Sequence, residues 1–235
     1  HPFSGDLMQI ITSPSKTQKF NGRDYREYSL PGLHKKTKPL IDLLKKMAKE
    51  ELSRLLGTSA KLTDSTYRRI HGFSTNLTLQ NAGQALFTYQ GDAYSAITAD
   101  CYSDDELRHA QQHLFILSAL HGILRPLDLI QPYRLEMTTP LTIEGTKNLY
   151  QYWRRPVTAI INSSLAADKD GTLVNLASAE YAKIIDKKEL LGTMVTITFK
   201  EKQQGNYRAI PFHAKRARGL MVHHIIRNRI SDPSK

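Results

Sequence analysis

The sequence predicts one mixed α/β (α+β) domain, and three observations carry that prediction. Short apolar runs of strand length alternate with amphipathic helical patterns along the whole chain. No repeat, low-complexity segment or linker divides them. At 235 residues the chain is long enough to bury a sizeable core.

Taken in order, residues 1–7 lack the basic and apolar regions of a signal peptide and read as an expression remnant, with Met8 the expected start. "MQIIT" (8–12) reads as a buried strand leading into the loop "SPSKT" (13–17). Leu40, Leu43, Leu44 and Met47 then repeat at helical spacing among lysines, and "KEELSRLL" closes at Gly57, a residue suited to a helix C-terminus. Thr63 and Asp64 are placed to start a second helix that runs to Ile70 and stops at Gly72. "QALFTYQGD" is expected as a strand. Ser103 and Glu106 form a capping box, opening a helix expected to reach about His121 and end at Gly122. A helix is expected from Tyr150 to Ala167, with Pro156 at a turn or restart. "LVNLAS" reads as a strand and "SAEYAKII" as a short helix capped by Ser178. "MVTITF" and "YRAIPFHA" alternate as a hairpin around "KEKQQGN". A basic helix from Lys215 to Arg229 closes the chain.

Composition narrows the functional classes. No apolar run approaches the ~18 residues that a membrane span needs. A single cysteine, Cys101, excludes an internal disulfide framework and a cysteine-based zinc site, which points to a reducing, cytoplasmic setting. Lys and Arg number 33 against 22 Asp and Glu, a net charge of +11. Such a balance favours polyanionic partners, because each neutralised phosphate releases condensed counterions.

Four stretches invite chemistry. "LHGILRPLDLIQPYRLEM" (120–137) sets Arg125, Asp128, Arg134 and Glu136 between two prolines in an otherwise apolar segment. Charges half-buried there must pair, Arg125 with Asp128 and Arg134 with Glu136 or Asp92, either as a structural ion network or as the floor of a pocket. From Lys202 to Arg229 there are seven Lys/Arg and no acid. Lys215, Arg216 and Arg218 are expected in the first turn of the last helix, where cations oppose the helix dipole and an anion would explain them. "SPSKT" offers Lys16 and three hydroxyls directly after a strand, which suits a phosphate but equally a structural turn, and it lacks P-loop glycines. His109 and His113 have the zincin i,i+4 spacing but neither the general-base glutamate nor a third ligand, so no metal is expected. No catalytic triad or Cys–His pair can be assembled, and no cofactor is implied.

The chain resembles the YaaA family of bacterial peroxide-stress proteins. The resemblance spans nearly all of residues 8–230 and rests on "SPSKT", "GDAY" (91–94), "AQQHLFILSALHGILRPLDLIQPYRLEM" (110–137), "LYQYW" (149–153), "NLAS.EY" (175–181) and "AKRARGLM" (214–221). Ala119 and His121 stand where that motif usually has Gly and Tyr, Ala96 replaces a usual Gly, and the usual C-terminal extension is absent after Lys235. The resemblance implies an unusual α/β fold with a basic cleft, a helix-hairpin-helix-like element, double-stranded DNA as partner, and a role in limiting iron-driven peroxide damage. The hairpin would be the helix pair within 49–71. Its turn lacks the usual Gly-x-Gly, so the residues alone fit an ordinary αα-hairpin as well.

The candidate DNA contacts are therefore Lys16, Lys61, Arg68, Arg69, Lys215, Arg216 and Arg218. The candidate cleft residues are Asp92, Tyr94, Arg125, Asp128, Arg134 and Glu136. A second reading is an enzyme acting on a nucleotide or other phosphorylated small molecule through Lys16, Asp92, Arg125, Arg134 and Glu136.

Overall fold

The computed structural model describes residues 8–20, 25–165, 171–203 and 205–232; the presumed remnant 1–7 lies outside them. Strand β1 (Met8–Thr12) is buried at every position, so it must sit in the interior of a sheet covered on both faces. A helical region follows, with α1 (His34–Lys45), α2 (Lys49–Leu56) and α3 (Ala60–His71). Next come β2 (Gly83–Gln84), α4 (Ala85–Thr88), α5 (Asp92–Ile97) and α6 (Asp104–His113). The chain then builds β3 (Leu114–Ser118), β4 (Gly122–Leu124), β5 (Leu129–Ile130), α7 (Leu149–Leu165), β6 (Thr172–Asn175) and α8 (Ala179–Ala182). β7 (Thr193–Thr196), β8 (Glu201–Gln203), β9 (Asn206–Arg208) and α9 (Pro211–Arg227) complete it.

The main sheet has five strands in the order β4-β3-β1-β6-β7. β3 and β6 flank β1 in parallel and β7 is parallel to β6, whereas β4 folds back antiparallel on β3. The mixed α/β class read from the sequence is thus the observed one. One apolar core runs through the fold, joining β1, β3 and β6 to the buried faces of α1, α6 and α7. Pro156 lies inside α7, which continues through it.

Four element assignments need correction. "QALFTYQGD" is not a strand: after Gly83–Gln84 the backbone winds into α4, because the amides of Ala85 and Leu86 are already satisfied by the carbonyls of Asp128 and Pro126. The capping box at Ser103 forms as read, but α6 ends at His113 and "LFILS" is β3. A short apolar run buried on all sides has no period that separates strand from helix. Gly122 accordingly ends no helix; it turns the β3–β4 hairpin at φ +72°, with the Trp153 ring where a Cβ would lie. "MVTITF" extends the main sheet as β7, and the hairpin is the shorter β8–β9 pair.

The two helix starts also move. α3 begins at Ala60, and Thr63 caps nothing: its buried hydroxyl ties the turn together through Ser53, Thr58 and Ser59. α9 begins at Pro211, pre-set for the first helical position. Lys215, Arg216 and Arg218 therefore sit beyond the first turn, and the helix-dipole argument for them falls.

Candidate functional site at the switch point of the sheet

From β1 the chain moves to β3 on one side of the sheet; from β6 it moves to β7 on the other. The strand order reverses between β1 and β6, and open parallel sheets place their ligands outside the carboxyl ends of the strands at such a point. A cavity of about 510 Å³ opens there. Its walls come from the loop after β1 (Thr12–Gln18), the segment Gln90–Tyr94, the segment Tyr133–Glu136, the turn after β6 (Leu176, Ser178, Glu180, Tyr181) and Lys215 and Arg218 of α9.

Local bonds fix each wall. The Ser178 amide donates to Ser13 Oγ at 2.8 Å, pinning the β1 and β6 loops together, and Tyr94 Oη donates to the Ser13 carbonyl at 2.9 Å. Gln18 Oε1 accepts from the Tyr133 amide at 2.7 Å, and the Gln90 amide donates to the Thr17 carbonyl. Gly91, at φ +101°, turns the chain into α5; a Cβ there would lie 3.3 Å from Ser15 Oγ. α9 is brought over the mouth by Gly219, whose absent Cβ would meet the Ala93 carbonyl oxygen at 2.1 Å. This contact between α5 and α9 is what sets Lys215 and Arg218 on the cavity.

The electrostatics are mixed. Glu136 pairs with Lys16 at 2.7 Å and faces Arg134 at 3.8 Å. Arg218 makes no ion pair or hydrogen bond among the described residues, and burial pulls its guanidinium below the ordinary arginine range. Arg134 Nε, Arg218 Nε and Glu180 Oε1 are all buried without a hydrogen-bond partner among the described residues. Below them, Ser118 Oγ, Tyr133 Oη and Tyr89 Oη form a buried hydroxyl chain at 2.7 and 2.8 Å, and burial raises the Tyr89, Tyr94 and Tyr133 phenols so that they stay neutral.

The structure therefore gathers Lys16, Asp92, Tyr94, Arg134, Glu136, Lys215 and Arg218 on one cavity. It separates the others. Arg125 donates to the Gln112 carbonyl at 2.7 Å and Ser164 Oγ at 2.9 Å and lies over the Phe115 ring, braced inside the fold. Asp128 is buried and meets not the Arg125 guanidinium but its amide, at 2.8 Å, together with Ser29 Oγ at 2.6 Å. The expected Arg125–Asp128 ion pair is thus replaced by a turn in which a carboxylate caps a backbone amide. Burial is the largest influence on Asp128 and raises its pKa. Arg216 is exposed on α9 and is not among the lining residues, and Lys61, Arg68 and Arg69 are exposed on α3, likewise off the cavity walls.

Glu180, Tyr181 and Tyr133 are not singled out from the sequence; Ser13 enters only among the hydroxyls of "SPSKT", and Ser178 only as a helix cap. The available signal was positional: "SPSKT" and "SAEY" each follow a strand of the same parallel sheet, so both must emerge at its carboxyl edge. The His109 and His113 rings lie tilted with centroids 4.3 Å apart, and no group of three or more His, Cys, Asp and Glu among the described residues is placed to hold a metal ion.

Comparison with known proteins places this architecture. The model of the family described as peroxide stress protein YaaA matches residues 8–235. The chain belongs to the YaaA peroxide stress protein family. Among YaaA-family relatives, a UPF0246 protein of Acaryochloris marina is 46% identical over 96% of this chain and 89% of its own length. UPF0246 proteins of Ralstonia nicotianae and Shewanella woodyi are 42% and 41% identical, over 97% and 96% of this chain and 89% and 88% of theirs. Among the described residues, no helix is long and apolar enough to cross a membrane.

Proposed function

We propose that this YaaA-family protein acts in the cytoplasmic response to peroxide by binding double-stranded DNA, largely without sequence preference, and so limits iron-driven oxidative damage. The peroxide link follows from the family; the DNA reading rests on charge and its placement. The observation that carries it is the acid-free run of α9, which sets Lys215 on the cavity wall and Arg216 next to it in the chain, both exposed and without ion pairs among the described residues. Phosphate contacts need mobile, solvent-facing cations of this kind, and they position a duplex without reading bases. α3 supports a second contact: its N-terminus, capped by no side chain at Ser59, has exposed Lys61 in its first turn, while Arg68 and Arg69 are exposed in its last turn. Uncapped helix amides beside Lys61 suit a phosphate, which is the physics a helix-hairpin-helix element would use, and the two arginines would meet the backbone separately.

The test is duplex binding measured across a salt series. A Lys215→Ala, Arg216→Ala variant and a Lys61→Ala, Arg68→Ala, Arg69→Ala variant should each bind more weakly, with the logarithmic salt slope reduced by about one per lost phosphate contact. The wild-type protein should also slow nicking of plasmid DNA by iron and peroxide, and the variants should do so less. Affinity and slope unchanged in both variants would end this reading.

A further inference from the structure

We propose that the switch-point cavity binds a nucleoside monophosphate, its phosphate held by Arg134 and Arg218 and its sugar hydroxyls facing Glu180. This goes beyond contact with a DNA backbone, which needs only the rim.

Three groups argue for a ligand with both an anionic end and a hydroxyl-bearing end. Arg134 and Arg218 are five-donor forks whose Nε atoms are buried without acceptors among the described residues. Arg218 lacks any acidic partner among the described residues, and Arg134 has only Glu136, which Lys16 holds more closely. A half-buried guanidinium is costly unless an anion compensates it; carboxylate and phosphate both match the fork, but only a phosphate has terminal oxygens enough to serve two forks at once. Glu180 Oε1, on the same cavity, is also buried and is an acceptor without a donor among the described residues. An anion alone would leave it unsatisfied; a phosphate ester with hydroxyls would not.

Size and position narrow the ester. About 510 Å³ fits within the range of small-ligand sites and takes a mononucleotide but not a duplex. The rings of Tyr133 and Tyr181 line the cavity and offer apolar surface to a base. The site stands where doubly wound sheets bind nucleotides for a geometric reason: adjacent loops part to opposite faces and leave a crevice. Ser13 and Ser178, clasped across that crevice, hold it open at a fixed width.

The experiment uses the full chain and equilibrium dialysis of the ribo- and deoxyribonucleoside 5′-monophosphates, with inorganic phosphate and the parent nucleosides as controls. At least one monophosphate should bind with Kd below about 1 mM. Its nucleoside and inorganic phosphate should each bind about tenfold or more weakly, because each keeps only one end of the site. Arg134→Ala and Arg218→Ala should lose about tenfold or more, whereas Arg216→Ala, outside the cavity, should not. If Arg218→Ala fails to fold, Arg218→Lys keeps the charge and removes the fork, and should still weaken binding. Glu180→Gln should weaken the nucleotide and leave inorganic phosphate unchanged. The proposal is overturned if no monophosphate binds, if inorganic phosphate binds as well as the best of them, or if folded Arg134 and Arg218 variants bind like wild type. A protein that binds a monophosphate but no duplex upholds this inference and sinks the DNA reading; the converse does the reverse.

Discussion

His121 offers a measurement in which the fold's interior is read through pH. The side chain is buried to 1% exposure between the Phe73 and Tyr133 rings, with Thr37 Oγ1 3.3 Å from its Nδ1 and no partner at Nε2 among the described residues. Burial alone drives its pKa from 6.5 to about 3. The unfolded chain therefore binds a proton through the window between those values while the folded chain does not, so stability falls as pH drops below 6.5. Between about pH 7.5 and about pH 5 the linked loss is ~2 kcal/mol, a large part of an ordinary domain's stability. Other groups titrate in the same window, and a variant cancels them. Urea unfolding of wild type and His121→Gln at both pH values should show the acid-induced loss to be smaller in the variant by ~2 kcal/mol, whatever the variant's own stability. Equal losses in the two proteins would mean that His121 takes up its proton in the fold, and the reasoning would fail.

Two further outcomes follow from packing. Gly219→Ala places a methyl on the Ala93 carbonyl, so α9 must shift; thermal denaturation should show a loss of about 1–3 kcal/mol, with ligand and duplex binding weakened together. Arg125→Ala removes the bonds to the Gln112 carbonyl and Ser164 and the contact with Phe115. It should cost at least about 2 kcal/mol in chemical denaturation. Binding by the folded fraction should be unchanged, because Arg125 stands outside the cavity.

The sequence reading succeeded where a local rule had a single solution. The Ser103–Glu106 box, the Ser178 cap and the left-handed Gly57 terminus each form as read, because two or three neighbouring residues satisfy one another's hydrogen bonds. It failed where burial erased the pattern. Leu114–Ser118 and Ala85–Thr88 are apolar or enclosed on every side, and only the partners chosen across the fold, β1 for one and the carbonyls of residues 126 and 128 for the other, decide their conformation. The four charges of residues 120–137 show the same limit. Their need for partners was legible, but the split was not: Arg125 and Asp128 satisfied within the scaffold, Arg134 and Glu136 on the cavity. That division depends on which face of a strand-and-turn path each residue meets, and β3, which leads into that path, reads as helix in the sequence.

The placement of β1 has a consequence for how the protein is made. Its central strand precedes both of its neighbours in the chain, and Ile10 finds its partners only at Leu114 and then Val174. Pairings so distant in the chain raise contact order and slow folding. Until those segments emerge, "MQIIT" is an apolar strand with both edges bare, a segment that invites chaperone capture or mispairing. The cavity inherits this dependence, since its walls come from the first strand loop and the last helix alike. The cavity wall stays incomplete until α9 docks, so its presence reports on an assembled fold.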